Sequence, residues 1–320
     1  MREMKPPSDV SPLYRRFLAW MAERFPAANA VMCLIVWSAA LTWGRFCTAP
    51  GPIALCPLDA VGFLATYGYF FMLRVFDEHK DYELDKVTHP GRVLQRGLIT
   101  LHHLRVAGAV AIGVQLGASL LLDRGAGKVT LAWVAALAWS VLMAKEFFVG
   151  EWLRPRLLVY ALTHMVAMPL AIHWMVRMGS GSLPLPPEAL LLPLTSYAYG
   201  FAIEIGRKLK APEDERPGVD SYTRVFGTRQ APVVLGAIVI LMTAGFTWML
   251  AVAGGGAPSP VAVAVVILAL AYALVTFGRF RAAPAASRAK ACETAVGVVV
   301  LVDHVALVVA VLVARGVTGS

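Results

Sequence analysis

The chain has 320 residues, of which 58% are hydrophobic and only 15% are charged, with a mean hydropathy of +0.66. Ordinary soluble domains carry about 25% charged residues, so this composition excludes a water-soluble globular protein, a disordered chain, a collagen and a coiled coil. The net charge of +9 lies mainly in loops between apolar runs. That placement is typical of a membrane protein and does not indicate a nucleic-acid-binding surface.

The N-terminal segment, residues 1–27, precedes the first apolar run. Within it, residues 11–25 place Leu13, Phe17 and Trp20 near one helical face and charged side chains on the others. This pattern predicts an amphipathic helix that lies on the membrane surface.

Nine apolar runs follow, and each is long enough to cross a bilayer, which takes about 20 mostly apolar residues in a helix. The breaks between them contain Gly, Pro, Ser and charged residues, as turns do. The sequence therefore predicts an all-α bundle of nine transmembrane helices over residues 28–316, with a short external tail at 317–320. The predicted spans are 28–46, 60–77, 103–122, 129–147, 157–176, 189–206, 230–252, 260–278 and 292–314.

The distribution of basic residues predicts the orientation. The N-terminal segment and the loops after the second, fourth, sixth and eighth spans carry 24 of the 29 Lys and Arg residues. Since loops rich in Lys and Arg stay in the cytoplasm, we expect a cytoplasmic N-terminus with a polar cap on that face, and an external C-terminus. The expected location is a bacterial cytoplasmic membrane.

Cys47 and Cys56 stand in the first external loop. They are able to form a disulfide if that loop faces an oxidising compartment, and otherwise they are free thiols.

Acidic residues cluster at the predicted cytoplasmic end of the second span. Asp77, Asp81 and Asp85 are spaced i, i+4, i+8, and Glu78 begins the neighbouring row, so the carboxylates lie along one side of a helix. Like charges at this spacing repel one another, and a hard cation bound among the oxygens would relieve the repulsion.

A second acidic cluster lies between the sixth and seventh spans, on the same predicted face. It mixes acids with basic residues, and taken by itself it is better explained as a solvated loop whose charges balance. Two such loops on one face, however, offer carboxylates for Mg²⁺ and cations for oxyanions, which together suit a diphosphate ligand. Its acids are Glu204, Glu213, Asp214, Glu215 and Asp220.

These motifs resemble those of the UbiA superfamily of intramembrane prenyltransferases. The family's Asn-Asp-x-x-Asp-x-x-x-Asp motif falls on Asp77, Glu78, Asp81 and Asp85, with conservative changes at the first two positions. HPGRVLQRG resembles the segment that follows it, and GVDSYTRVFG resembles the close of the second motif. That second motif, Asp-x-x-x-Asp, would fall on Lys210 and Asp214, so one expected carboxylate is a lysine here.

The resemblance implies an Mg²⁺-dependent enzyme that transfers the prenyl group of a prenyl diphosphate to an acceptor, an aromatic compound or a lipid precursor. The prenyl tail would lie in a lipid-side tunnel and the diphosphate under the polar cap. The expected catalytic residues are Asp77, Asp81 and Asp214. The expected metal ligands are Asp77, Glu78, Asp81, Asp85 and Asp214. The expected diphosphate ligands are Arg92, Arg207, Lys208, Lys210 and Lys145, with Arg154 as a further candidate.

Two other functions remain open at this stage. A terpene cyclase would use the same metal and prenyl diphosphate without an acceptor. A transporter would need ionisable residues near the bilayer midplane, where this chain has Asp303 and His304 in the last span. Those two residues are equally consistent with a functional group and with a hydrogen-bonded packing pair. The acceptor, the prenyl length and the oligomeric state are not specified by any motif.

Overall fold

The computed structural model describes residues 10–216 and 220–319. It is an all-α bundle with one short parallel pair of strands. Single turns of 3-10 helix occur at Glu146–Phe148, Pro187–Leu190 and Pro212–Asp214. The elements are α1 Leu13–Arg24, α2 Ala28–Thr48, β1 Ile53–Leu55, α3 Leu58–Lys80, α4 Tyr82–Thr88, α5 Leu101–Asp123, α6 Lys128–Ala144, α7 Gly150–Leu153, α8 Leu157–Met165, α9 Ala167–Ser180, α10 Leu191–Arg207, α11 Tyr222–Phe226, α12 Ala231–Ala253, α13 Pro260–Ala282, α14 Ala286–Arg315 and β2 Val317–Gly319.

Within the described residues, eight helical segments are long and apolar enough to cross a membrane, and they coincide with eight of the predicted spans. The remaining predicted span corresponds to α6, which is apolar but only 17 residues long. An α-helix of that length extends about 26 Å, at the lower limit for a spanning helix. The structure thus confirms a multi-pass helical membrane protein, while the total of nine spans and the orientation stay predictions.

The predicted fifth span is broken into α8 and α9 near Val166. Pro169 follows three residues later, has no backbone N–H to donate to Met165, and its ring crowds that carbonyl group. The break therefore follows from the local sequence.

Two glycines allow α2 and α9 to approach closely. A methyl group added at Gly44 would lie 2.3 Å from the carbonyl oxygen of Val176, and one added at Gly179 would lie 2.2 Å from that of Leu41. Small residues at helix crossings are the usual means of packing in membranes, where lipid removes the hydrophobic drive between helices.

Polar side chains join several helices inside the bundle. The Tyr69 hydroxyl and Ser140 Oγ are 2.8 Å apart, and Trp174 donates to Ser119 Oγ at 3.1 Å. Asp303 accepts a hydrogen bond from Thr243 at 3.2 Å, and both residues are buried. Asp303 therefore links α14 to α12, which favours its interpretation as a packing residue.

The predicted amphipathic helix is α1, and it is docked on the bundle. Trp20 is completely buried and packs with Phe25 against Phe71 of α3 and Leu94 of the following loop. The apolar face of α1 therefore covers protein at the end of α3 that carries the first acidic cluster.

The opposite end of the bundle is closed by the strands. Ile53 to Leu55 pair with Val317 to Gly319, so the loop after α2 is joined to the end of the chain. Beside this ladder, Arg45 forms a two-hydrogen-bond ion pair with Asp59. Cys47 and Cys56 are free thiols in the structure.

Candidate active site

The first acidic cluster is built on the junction of α3 and α4. Asp77 lies in the last turn of α3, Asp81 joins the two helices, and Asp85 lies in α4. Because α3 continues into α4 with only a small break at Asp81, the predicted i, i+4, i+8 arrangement is retained in outline.

Glu78 forms ion pairs with two arginines. Its side chain is completely buried, and its Oε1 accepts hydrogen bonds from Arg24 of α1 at 2.6 Å and from Arg74 at 2.9 Å. Its Oε2 is buried and has no hydrogen-bond partner in the structure. The charge expected to bind a metal here is already balanced by guanidinium groups.

Asp85 is likewise paired. It forms an ion pair with Arg92 and lies 3.2 Å from His89 Nδ1. Arg92, expected on the diphosphate, thus holds the loop after α4 against the acidic cluster.

Asp77 and Asp81 are the two carboxylates of this cluster that form no short ion pair with the described residues. The Asp77 side chain is 42% exposed and makes only long ion pairs, 3.7 Å to Arg74 and 3.9 Å to Lys80. The Asp81 carboxylate forms no hydrogen bond or short ion pair with the described residues. Burial raises the pKa of Asp81 above its ordinary value, and the charges of Asp77 and Asp85 raise it further, while Lys80 and Arg74 oppose the shift. A cation bound here would relieve an excess of negative charge.

A group of polar side chains lies within electrostatic range of Asp81, and of its members Arg154 was already a candidate from the sequence. Lys80 donates a 2.7 Å hydrogen bond to the Tyr160 hydroxyl, and Tyr160 stacks on His164 with ring centroids 3.7 Å apart. Buried Glu146 pairs with Arg154 at 2.8 Å. The pKa of Arg154 is raised chiefly by Glu146 and more weakly by Tyr160 and Asp81, which places this guanidinium near the acidic cluster.

The second charged cluster begins at the end of α10. Glu204 is buried and pairs with both Arg207 and Lys208, each at 2.7 Å. Arg207 lies within electrostatic range of Asp77. The ends of α3 and α10 therefore lie on the same face of the bundle, as the resemblance implied.

The loop after α10 is organised by Glu215. It accepts hydrogen bonds from Ser221 and Thr223, at 2.5 and 2.7 Å, and pairs with Arg224. The backbone N–H of Lys210 donates to Thr223 Oγ1 at 3.1 Å. Residues 217–219, which include part of the second motif, lie outside the described residues.

Two residues expected in the site have free side chains. Lys210 is half-buried and Asp214 is exposed on a single 3-10 turn, and neither side chain makes a hydrogen bond or ion pair with a described residue. Lys145 is exposed and, with Lys80, borders a groove between α3, α5 and α6.

The five expected metal ligands are not assembled as a preformed cage. Among the described residues, no group of three or more His, Cys, Asp or Glu side chains is placed to hold a metal ion. Glu78 and Asp85 are occupied by arginines, whereas Asp77 and Asp81 retain free oxygens.

The sequence did not predict the roles of Arg24, Arg74, Tyr160 and Glu146. Of these four, only Arg74 carried a local signal for its ion pair, since it stands four residues before Glu78 on the same helix.

Comparison with known families agrees with this arrangement. The model of the UbiA prenyltransferase family matches residues 35–295, most of the chain. The chain belongs to this family. The predicted family is therefore confirmed, and with it the prediction of an intramembrane prenyltransferase.

Solved structures show the same fold. A structure of digeranylgeranylglyceryl phosphate synthase has a TM-score of 0.61 and 14% sequence identity, covering 93% of this chain and 99% of its own. The apo structure of a UbiA homologue from Aeropyrum pernix K1 also has a TM-score of 0.61, at 15% identity, covering 86% of this chain and 97% of its own. Among curated proteins, no sequence matches the chain.

Proposed function

We propose that the protein is an Mg²⁺-dependent prenyltransferase that uses a prenyl diphosphate donor and a small aromatic or lipid-precursor acceptor. The observation that carries this proposal is the pair Asp77 and Asp81, which make no short ion pair with the described residues, together with Arg207, which lies within electrostatic range of Asp77. The family indicates the reaction class, and Asp77 and Asp81 would bind the metal ion that this reaction uses.

The residues fit a magnesium ion bound together with its substrate. Mg²⁺ is usually held by one or two carboxylates plus phosphate oxygens and water, and an all-protein cage is not needed. Asp77 and Asp81 would hold it, and bound metal would neutralise charge that develops on the diphosphate. Asp214 lies on the second loop and would contribute from the opposite side.

The basic residues would contact phosphate oxygens directly. Arg207 and Lys208 are held by Glu204, and both cations would lie beside the bound diphosphate. Lys210 has a free ammonium group that donates up to three hydrogen bonds. Arg92 would act mainly by positioning Asp85 and its loop.

The chemistry requires charge stabilisation and exclusion of water. The allylic C–O bond breaks, its electron pair leaves with the diphosphate, and the acceptor supplies the pair that forms the new bond and then loses a proton. Fixed cations aimed at the leaving group lower this barrier. The surrounding apolar helices would keep water away from the allylic cation.

Product analysis tests the proposal. Purified protein in lipid nanodiscs is incubated with labelled geranylgeranyl diphosphate, Mg²⁺ and a panel of aromatic and lipid-phosphate acceptors. A prenylated acceptor that disappears with excess chelator supports the proposal. Diphosphate release with a cyclic hydrocarbon and no acceptor would instead indicate a cyclase, and absence of any turnover across the panel would count against both.

A further inference from the structure

A groove of about 590 Å³ lies between α3, α5 and α6. It opens at the end of α3 where the candidate site lies, because His79 and Lys80 are among its walls. Apart from Lys145, which the sequence placed among the expected diphosphate ligands, its lining residues have no role in the proposed prenyl transfer.

The groove has a polar end and an apolar end. Four basic side chains, His79, Lys80, Arg105 and Lys145, stand at the last turn of α3, the first turns of α5 and the end of α6. Deeper along the same helices the walls are apolar or small. They are Val75, Phe76, Gly108, Ala109, Ile112, Val141 and Ala144.

The basic end is not neutralised by acids of the groove. Its wall contains no Asp or Glu. Lys80 is engaged by Tyr160 and Asp77, but Arg105 and Lys145 are exposed and make no ion pair with the described residues. Two free cations therefore border the cavity mouth.

His79 adds an unused hydrogen-bonding atom. Its Nδ1 donates to the carbonyl oxygen of Val75 at 2.9 Å, while Nε2 is buried and has no partner in the structure. A buried polar atom without a partner costs free energy, so its presence in the wall of a groove favours a polar ligand group there.

We propose that this groove binds an anionic phospholipid from the leaflet on the side of the candidate site. The phosphate would lie between Arg105 and Lys145, and a hydroxyl of the lipid headgroup would donate to Nε2 of His79. One acyl chain would lie against Ala109 and Ile112. Cations at the headgroup level above an apolar slot match both ends of such a lipid, and a free phosphate would leave the apolar end unfilled. This binding is independent of the proposed prenyl transfer.

Native mass spectrometry of the purified full-length protein tests the proposal. In detergent we expect one phosphatidylglycerol to bind at least fivefold more tightly than phosphatidylcholine. Arg105→Ala should remove that preference, and Ala109→Trp should weaken binding by filling the apolar slot. Arg281→Ala, an exposed basic residue at the end of α13, serves as the matched control and should leave the preference unchanged.

Other outcomes would overturn the proposal. Equal losses in Arg105→Ala and Arg281→Ala would show only general attraction between a basic surface and anionic lipid. Displacement by inorganic phosphate at the same concentration as lipid would show a small-anion site. A tenfold rise in the KM for prenyl diphosphate in Arg105→Ala would assign the groove to the substrate. Thermal unfolding of each variant checks that it is folded.

Discussion

At the scale of single residues, the acids around the α3–α4 junction form two groups. The acids of one group form short ion pairs with arginine side chains, and those of the other do not. Glu78 and Asp85 form short ion pairs with arginines, whereas Asp77 makes only long ion pairs and Asp81 makes none with the described residues. Substitution of Asp77 or Asp81 should therefore reduce turnover, whereas substitution of Glu78 or Asp85 should destabilise the fold.

Asp81→Asn should abolish prenyl transfer without unfolding the protein. The amide cannot supply the negative charge that a metal needs, while loss of one carboxylate relieves repulsion and should slightly stabilise the metal-free protein. Turnover and thermal unfolding are measured on the same sample. Glu83→Gln is the control, since this exposed acid pairs only with Lys86 in the structure. Full activity in Asp81→Asn, or activity in excess chelator, would contradict the assignment.

Substitution of Lys210 tests whether its ammonium group takes the role that a metal-bound carboxylate has at this position of the second motif. If its ammonium contacts phosphate directly, Lys210→Ala should raise the KM for prenyl diphosphate or lower kcat at least tenfold, about 1.4 kcal/mol. Lys210→Asp should need more Mg²⁺, because a carboxylate reaches phosphate only through the ion. Unchanged constants and an unchanged Mg²⁺ curve in Lys210→Ala would show that the side chain is only an interfacial anchor.

The side-chain partners in this site could be predicted only in part. The spacing of Asp77, Asp81 and Asp85 is a local property, and their common placement followed directly from the sequence. The pairing of Glu78 with Arg24 joins residues 54 positions apart, and no periodicity encodes it. It depends on how α1 packs, which is decided by the tertiary fit of Trp20.

At the scale of elements, α1 acts as a clamp on the first acidic cluster. Its Arg24 bonds Glu78, its Glu23 accepts from the backbone N–H of Val93, and Trp20 fills the space between. The clamp fixes both α3 and the loop that carries Arg92.

Arg24→Ala should therefore loosen α1. One charged hydrogen bond to a buried carboxylate is lost, which we expect to cost about 2 kcal/mol of unfolding free energy. Hydrogen exchange should increase in residues 13–24, and fluorescence of Trp20 should report greater exposure. Arg15→Ala is the control, because among the described residues the Arg15 side chain makes polar and ring contacts only with its neighbour Tyr14. If both variants exchange alike, α1 is held by its apolar face alone.

The crossing of α2 and α9 makes an independent prediction. Gly44→Leu should lower the unfolding free energy by about 3 kcal/mol, because its side chain would meet the backbone of Val176. Gly113→Leu on α5, where nothing lies within 4 Å, should have little effect. Unfolding temperatures in detergent measure the difference, and equal shifts in the two variants would argue against a close crossing.

Element boundaries followed the sequence closely where hydrophobicity alone decides them. The predicted span 230–252 and α12, Ala231–Ala253, differ by one residue at each end. The predicted span 129–147 ends three residues beyond α6, because the chain leaves the helix at Lys145 and Phe147 adopts a positive φ of 53°. Glu146 in this turn is buried and paired with Arg154, a pairing that hydropathy does not reveal.

At the scale of the whole molecule, the structure places the ends of α3 and α10 on one face, and the strands at the other. The excess of Lys and Arg predicts that the first face is cytoplasmic. In a variant with Cys47 and Cys56 replaced by Ser, single cysteines at Thr88 and Arg229 should resist an impermeant thiol reagent in intact cells, and one at Ser182 should react. All three positions are exposed in the structure. Labelling of Thr88→Cys or Arg229→Cys from outside would show that the orientation is the reverse of the predicted one.

The ladder between β1 and β2 also sets an order of events during biosynthesis. The first strand is translated directly after α2, whereas its partner, Val317–Gly319, is translated only after α14. Arg315, which donates to the carbonyl oxygen of Phe46, arrives at the same late moment. The strand ladder therefore joins the loop after α2 to the end of α14 only once α14 has been translated. A product truncated just before α14 would carry every proposed catalytic side chain on a bundle with an open seam, and quality-control proteases would meet it in that state.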